Sequence, residues 1–202
     1  MTPSPPLTTD KSFKASRRLM TAALVGSLAG DVFLMLPGQF IAGLVSFLLA
    51  HLCYLAVFRL EVPWFPHRTA LAATLAVGAG MYAFLWANGL PAALRGPVAA
   101  YVLVIAFMAA QAVGRATVVG GRGAWMVAVG AAFFMLSDSL LATNRFAKTL
   151  PMASFWVLST YYAAQVLIVW GWLQEHACTV AQTGPGSAPR QVRQAVKPAG
   201  QL

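Results

Sequence analysis

The sequence predicts an all-α polytopic membrane protein, a bundle of six transmembrane helices, and three observations carry the prediction. Of 202 residues, 59% are apolar and only 9% charged, whereas an ordinary soluble domain has roughly 25% charged residues. The charges lie between apolar runs, each approaching the roughly 20 residues needed to cross a hydrocarbon core about 30 Å thick. The runs are continuous, which fits helices; a barrel strand would alternate lipid-facing and lumen-facing residues. A water-soluble globular protein is excluded.

The elements follow in order. Leu19 to Leu36 is preceded by Lys11, Lys14, Arg17 and Arg18. Phe40 to Phe58 is followed by Arg59 and Arg68, and Thr69 to Asn88 by Arg95. Pro97 to Val113 leads to Arg115 and Arg122, Ala124 to Ala142 leads to Arg145 and Lys148, and Pro151 to Leu173 is the sixth span. With Arg190, Arg193 and Lys197 in the C-terminal segment, eleven basic residues fall on one side and three on the other. The positive-inside rule then places both termini in the cytoplasm. A net charge of +9 would suggest a nucleic-acid partner in a soluble protein. Here it is mostly an orientation signal, and no nucleic acid is expected.

Residues 1–16 and 174–202 read as disordered tails, the second of them basic: the first begins with a Pro-rich stretch and the second is rich in Gly, Pro, Ser, Gln and Ala. The transmembrane domain is expected over residues 17–173. Ser27-Leu28-Ala29 offers the small residues of a signal-peptide cleavage site, but the apolar run continues to Leu36, so the segment reads as a span. Cys53 and Cys178 are far apart in different environments, which points to neither a disulfide framework nor a metal site. No G-x-S-x-G, H-E-x-x-H, P-loop or G-x-G-x-x-G motif supports serine-hydrolase, zincin or nucleotide-dependent chemistry.

Of five acidic residues, only Asp31 and Asp138 lie within the predicted spans. An ionisable group near the bilayer centre costs at least about 2.5 kcal/mol, so such a residue faces the bundle interior and has a task there. Both spans run from cytoplasm to exterior, and Asp31 and Asp138 fall 12 and 14 residues along them. At 1.5 Å per residue the carboxyls reach similar depth, roughly a quarter to a third of the way in from the outer surface. Ser27, Gly30, Ser137 and Ser139 are small neighbours that let helices approach closely. Two adjacent carboxyls in a low dielectric do not readily ionise together, which makes one a general acid and the other a general base. The alternative is that each hydrogen-bonds neighbouring helices and only fixes packing.

Other polar residues within spans are His51, Tyr54, Tyr82, Tyr101, Gln111, Tyr161, Tyr162 and Gln165. A buried Tyr or Gln is commonly interhelical glue. His51, in the inner half of its span, is expected to be structural or to line a pocket, and not to touch both aspartates.

With these residues placed, the chain resembles the YhhN family of integral membrane proteins, which contains the lysoplasmalogenases. The similar features are Ser27-x-x-Gly30-Asp31-x-x-Leu34-Met35-Leu36 and Phe40-x-x-Gly43-Leu44-x-x-Phe47-x-x-x-His51-x-x-Tyr54-x-x-x-Phe58. Further on come Pro97-Val98-x-x-Tyr101, Met108, Gly130-x-x-Phe133-x-x-x-Ser137-Asp138-Ser139-x-Leu141-Ala142, Arg145-Phe146 and Tyr162-x-x-Gln165. The resemblance implies eight spans, with two helices and a Lys-Pro element before the Gly-Asp helix, whereas here that helix comes first. A weak internal repeat, with Phe40 nine residues after Asp31 and Phe146 eight after Asp138, matches two halves in parallel orientation.

The resemblance further implies hydrolysis of the vinyl ether of a lysoplasmalogen, giving a fatty aldehyde and a glycerophospho-choline or -ethanolamine. Asp31 and Asp138 are the expected catalytic pair, with no metal or organic cofactor. The apolar stretch from Phe133 to Leu136 favours Asp138 as the proton donor. Arg145, seven residues beyond Asp138, is expected either to hold a phosphate or, as a loop arginine, to snorkel to the outer headgroups, and His51, Tyr101, Ser137, Tyr162 and Gln165 to line the substrate site. The expected partners are a lysophospholipid and membrane lipids. Ala- and Arg-rich usage points to a bacterial inner membrane. A proton-coupled transporter or a lipid-binding protein using the same aspartates is the competing reading, and a bundle acting only as a subunit is a third.

Overall fold

The computed structural model describes the backbone of residues 10–183 and the side chains of residues 11–176. Six helices follow one another: α1 (Asp10–Met35), α2 (Phe40–Arg59), α3 (Arg68–Ala87), α4 (Ala92–Val119), α5 (Gly121–Phe146) and α6 (Ala153–Thr183). All six are long and apolar enough to cross a membrane. Their outward faces carry exposed Val25, Leu28, Ile41, Leu49, Val166 and Trp170, as lipid-facing surfaces do.

Each expected span is a helix, and several run further than expected. α1 starts inside the segment read as a tail because that turn has something to pack on. Phe13 stacks on Trp172 at 6.1 Å, and the Trp172 indole N–H donates to Ser16 Oγ at 2.9 Å. α6 likewise continues past Leu173, with His176 buried against Trp172 and Phe13. The rest of the two tails lies outside the described residues.

Helix ends follow from local chemistry. α4 and α5 meet at Gly120 and Gly121, with φ of 71° and 82°, left-handed values that only glycine adopts without strain. The polypeptide therefore reverses with almost no linker. Between α2 and α3 the chain passes Pro63 and Pro66, and buried Gln111 of α4 staples it. Its side-chain oxygen accepts from the Phe65 N–H at 2.8 Å, and its amide donates to the Pro63 carbonyl at 3.0 Å. Gln111 is thus glue, as a polar residue in a span commonly is.

α4 is the central helix, packing on α2, α3 and α5, while α1 pairs with α2 and α6 with α5. α3 rests on α4 and barely reaches α5. The core is aromatic, built from Phe47, Tyr54, Phe58, Tyr101, Phe134, Tyr161 and Trp172. Phe40 and Phe146, the phenylalanines of the internal repeat, meet edge to face with centroids 5.4 Å apart.

Without a hydrophobic driving force in lipid, helix pairing depends on close van der Waals contact. α5 and α6 supply it at Gly123, Gly130 and Gly171. A Cβ on Gly130 would lie 2.8 Å from Ile168 Cγ1 and 2.9 Å from the Ala164 carbonyl. Gly130→Ala is expected to destabilise by about 1–3 kcal/mol, the usual cost of overpacking, seen as a lower melting temperature in detergent. Gly80→Ala on α3, where an added Cβ meets nothing within 4 Å, is expected to cause no loss.

Candidate functional site

The two intramembrane aspartates sit in one polar layer, each held by a tyrosine from another helix. Asp138 on α5 accepts from the Tyr101 hydroxyl of α4 at 2.5 Å. Its Oδ2 also lies 3.9 Å from Nε2 of fully buried His51 on α2. The other His51 nitrogen, Nδ1, is 2.6 Å from the Phe47 carbonyl. A carbonyl only accepts, so Nδ1 carries a proton and Nε2 is the atom turned toward Asp138. The ring is wedged edge to face against Tyr101 and Phe134, at 5.4 and 4.5 Å.

Asp31 on α1 accepts from the Tyr161 hydroxyl of α6 at 2.8 Å. Tyr161 in turn accepts from Gln165 Nε2 at 3.2 Å, and Gln165 Oε1 accepts from the Tyr54 hydroxyl at 2.6 Å. This chain joins α1, α6 and α2. Tyr161 and Gln165 are four residues apart and share a helix face. No hydrogen bond joins the two carboxyls among the described residues. Phe134, Phe47 and Tyr161 pack edge to face in the same layer, with centroids 5.4 to 6.4 Å apart.

A cavity of about 70 Å³ opens beside Asp138. Its walls are Leu34 of α1, Phe40, Leu44 and Phe47 of α2, Met81 and Leu85 of α3, Val98, Tyr101 and Ile105 of α4, and Met135, Leu141 and Phe146 of α5. The side chains that offer it polar groups are Tyr101, Asp138 and Ser139; Asp31 is not in its wall. An adjoining depression shares Leu34, Phe40 and Leu141 with this cavity and carries Arg145, whose guanidinium sits 5.0 Å over the Phe40 ring. A largely apolar chamber thus has one carboxyl in its wall and one guanidinium in the depression that adjoins it.

Of the residues expected from sequence, the structure places Asp138 and Tyr101 in the cavity wall, Arg145 in the adjoining depression, and Gln165 with Asp31; His51, expected to line the substrate site, is fully buried behind Asp138 and outside the cavity wall. Ser137 and Tyr162 belong to neither group. Ser137 Oγ donates to the Val157 carbonyl of α6 at 3.0 Å, and Tyr162 is 59% exposed on the outer face. Their neighbours in sequence do the work, Ser139 in the cavity wall and Tyr161 on Asp31. The i to i+4 spacing of Tyr161 and Gln165 is the sequence signal for the latter.

At the opposite end of the bundle, Arg115 is not a loop residue. It lies in α4, 4% exposed, and its guanidinium binds Glu61 of the α2–α3 loop and Glu175 of α6, the latter at 2.8 and 2.9 Å. His176 Nε2 is 4.0 Å from Glu61. This clamp extends α4 beyond the expected end at Val113 and orders the α6 turn that carries Glu175.

Fold and site together define a class, a polytopic helical membrane protein with a polar layer of two tyrosine-held aspartates and an apolar chamber beside one of them. The chain belongs to the YhhN family, whose model matches residues 6–172. It is 36% identical over 151 residues to the Homo sapiens protein named Lysoplasmalogenase TMEM86B, covering 75% of this chain and 62% of that protein. The Sus scrofa protein of the same name is 38% identical over 149 residues, covering 74% of this chain and 61% of that protein. The Mycobacterium bovis protein named Lysoplasmalogenase is 33% identical over 165 residues, covering 77% and 60%. The chain therefore spans about three fifths of the relatives it matches. No solved structure matches it.

Proposed function

We propose that this protein hydrolyses the vinyl ether bond of a lysoplasmalogen, with Asp138 as the proton donor. The observation that carries the reading is the placement of one tyrosine-held carboxyl, Asp138, in the wall of a largely apolar chamber, with Arg145 in the depression that adjoins it. The names of the relatives point to the same substrate.

A vinyl ether is cleaved by adding a proton to the carbon β to oxygen. The acid form of Asp138 gives that proton, and the carbon attached to oxygen becomes an oxocarbenium ion. The resulting carboxylate faces the new cation and draws a proton from the water that captures it. The hemiacetal then collapses to a fatty aldehyde and the free glycerol hydroxyl of a glycerophospho-choline or -ethanolamine. The same division between proton donation and cation stabilisation is used by glycosidase carboxyls. Asp31 acts from outside the chamber, its charge adding to the stabilisation of the cation. Tyr101 holds Asp138 in place, and Arg145 takes the phosphate. With the basic loops on the cytoplasmic side, the lysolipid enters from the outer leaflet.

The test is to give the purified protein a lysoplasmenyl lipid and, separately, its saturated ether analogue, and to measure long-chain aldehyde. Aldehyde from the vinyl ether alone supports the reading. Movement of lipid across a vesicle membrane without aldehyde would replace it with a transporter.

Tyr101→Phe removes the donor to Asp138 while keeping the ring against His51. Loss of a hydrogen bond to a charged group is worth about 1.5–3 kcal/mol, so kcat is expected to fall about ten- to hundredfold, with little change in KM.

A further inference from the structure

The geometry points to a lateral channel between α3 and α5 that takes the hydrocarbon chain of the lysolipid from the membrane while its ether lies at Asp138. This rests on the function proposed above and adds where the chain goes.

α3 and α5 both pack on α4 but scarcely on each other, which leaves a furrow with α4 as its floor. It runs from Ala73 to Phe84 along α3, about 16 Å at 1.5 Å per residue. That is about half of the roughly 30 Å hydrocarbon core, the depth one lipid chain fills. The furrow adjoins the chamber across a common wall: Met81, Met135 and Ser139 line both. Two methionines at the junction suit a passage that must give way, because an unbranched thioether side chain repacks easily. The furrow's lining is otherwise almost wholly apolar, so it offers a headgroup nothing to bind.

The order of parts matches a single lysolipid. Arg145 lies in the adjoining depression, Asp138 in the chamber wall and the furrow beyond Met81 and Met135. A phosphate, an ether and a hydrocarbon chain occur in that order along the substrate. The common wall with the chamber selects a lipid chain over a protein helix as the occupant, since a chain that passes Met81 and Met135 reaches Asp138 and a helix seated there would not.

The test uses a non-hydrolysable probe, a 1-O-alkyl lysophosphocholine with a photoreactive diazirine at the chain end, with the protein in phosphatidylcholine nanodiscs. Peptides covering residues 73–84 and 128–136 are expected to take up label that excess unlabelled 1-O-alkyl lysophosphocholine displaces. Gly80→Phe is expected to abolish the displaceable label with the melting temperature unchanged, because a Cβ at Gly80 meets nothing within 4 Å and the side chain fills the furrow alone. Gly80→Leu is the milder version and should reduce the label. Label that excess lipid does not displace, label indifferent to both substitutions, or crosslinks across this face to a second copy of the chain would overturn the channel. Binding is read without turnover, so a protein that labels as expected but yields no aldehyde refutes the hydrolysis and leaves the channel standing. One that yields aldehyde without displaceable label does the reverse.

Discussion

Asp138→Asn is expected to reduce vinyl-ether hydrolysis by at least about a hundredfold, the lower end of what a positioned acid contributes, with the protein still folded. Asn keeps the shape of Asp and still accepts from Tyr101, so the α4–α5 contact made through the 2.5 Å hydrogen bond survives. What is lost is the transferable proton. Asp31→Asn is expected to behave differently in kind. Asp31 lies outside the chamber wall, so its replacement should lower kcat while leaving KM for the lysolipid nearly unchanged. Aldehyde release measured at saturating and limiting substrate separates the two. Full turnover in Asp138→Asn would remove the proposed acid, and a KM effect confined to Asp31→Asn would place the substrate on the other side of Phe134.

Arg115→Met is expected to destabilise the protein by about 3–5 kcal/mol, as breaking a buried ion pair from one side does. Glu61 and Glu175 would then face each other without the guanidinium that both of them bind. Arg115→Lys should recover only part of this, since an ammonium lacks the planar fork that reaches two carboxylates at once. Thermal unfolding in detergent measures both, and an unchanged melting temperature in Arg115→Met would show the clamp to be dispensable. The clamp also has an order of assembly. Arg115 and Glu61 are both present once four helices are made, but Glu175 arrives only with the sixth.

The fold was legible because membrane helices declare themselves by run length and composition. The six spans needed no tertiary information, and the Arg59, Arg68 and Arg122 positions fell at their ends. What local reading cannot reach is an end fixed by a distant partner. α1 begins at Asp10 because Phe13 and Ser16 find Trp172, 156 residues beyond Ser16, and Arg115 counts as a loop charge until Glu61 and Glu175 are brought beside it. The site shows the same division. Asp31 and Asp138 stand out as the acids within spans, and Tyr101 and His51 follow from their neighbourhood. Which of two adjacent residues points inward depends on helix rotation, about 100° per residue at 3.6 residues per turn, and composition does not set that phase. Tyr162 is one position, and Ser137 two positions, from the residue that takes its place.

The hydrogen bonds that end on Asp31 have a direction. Tyr54 gives to Gln165, Gln165 to Tyr161 and Tyr161 to Asp31, so each hydroxyl or amide hydrogen is committed toward α1. Gln165 is held this way round because its oxygen, turned over, would face the Tyr161 oxygen, whose hydrogen is already given to Asp31. The polar layer therefore carries an arrow as well as a set of contacts. Three helices agree on one arrangement of protons, and a carboxyl on α1 anchors the choice for a tyrosine on α2 that it does not touch.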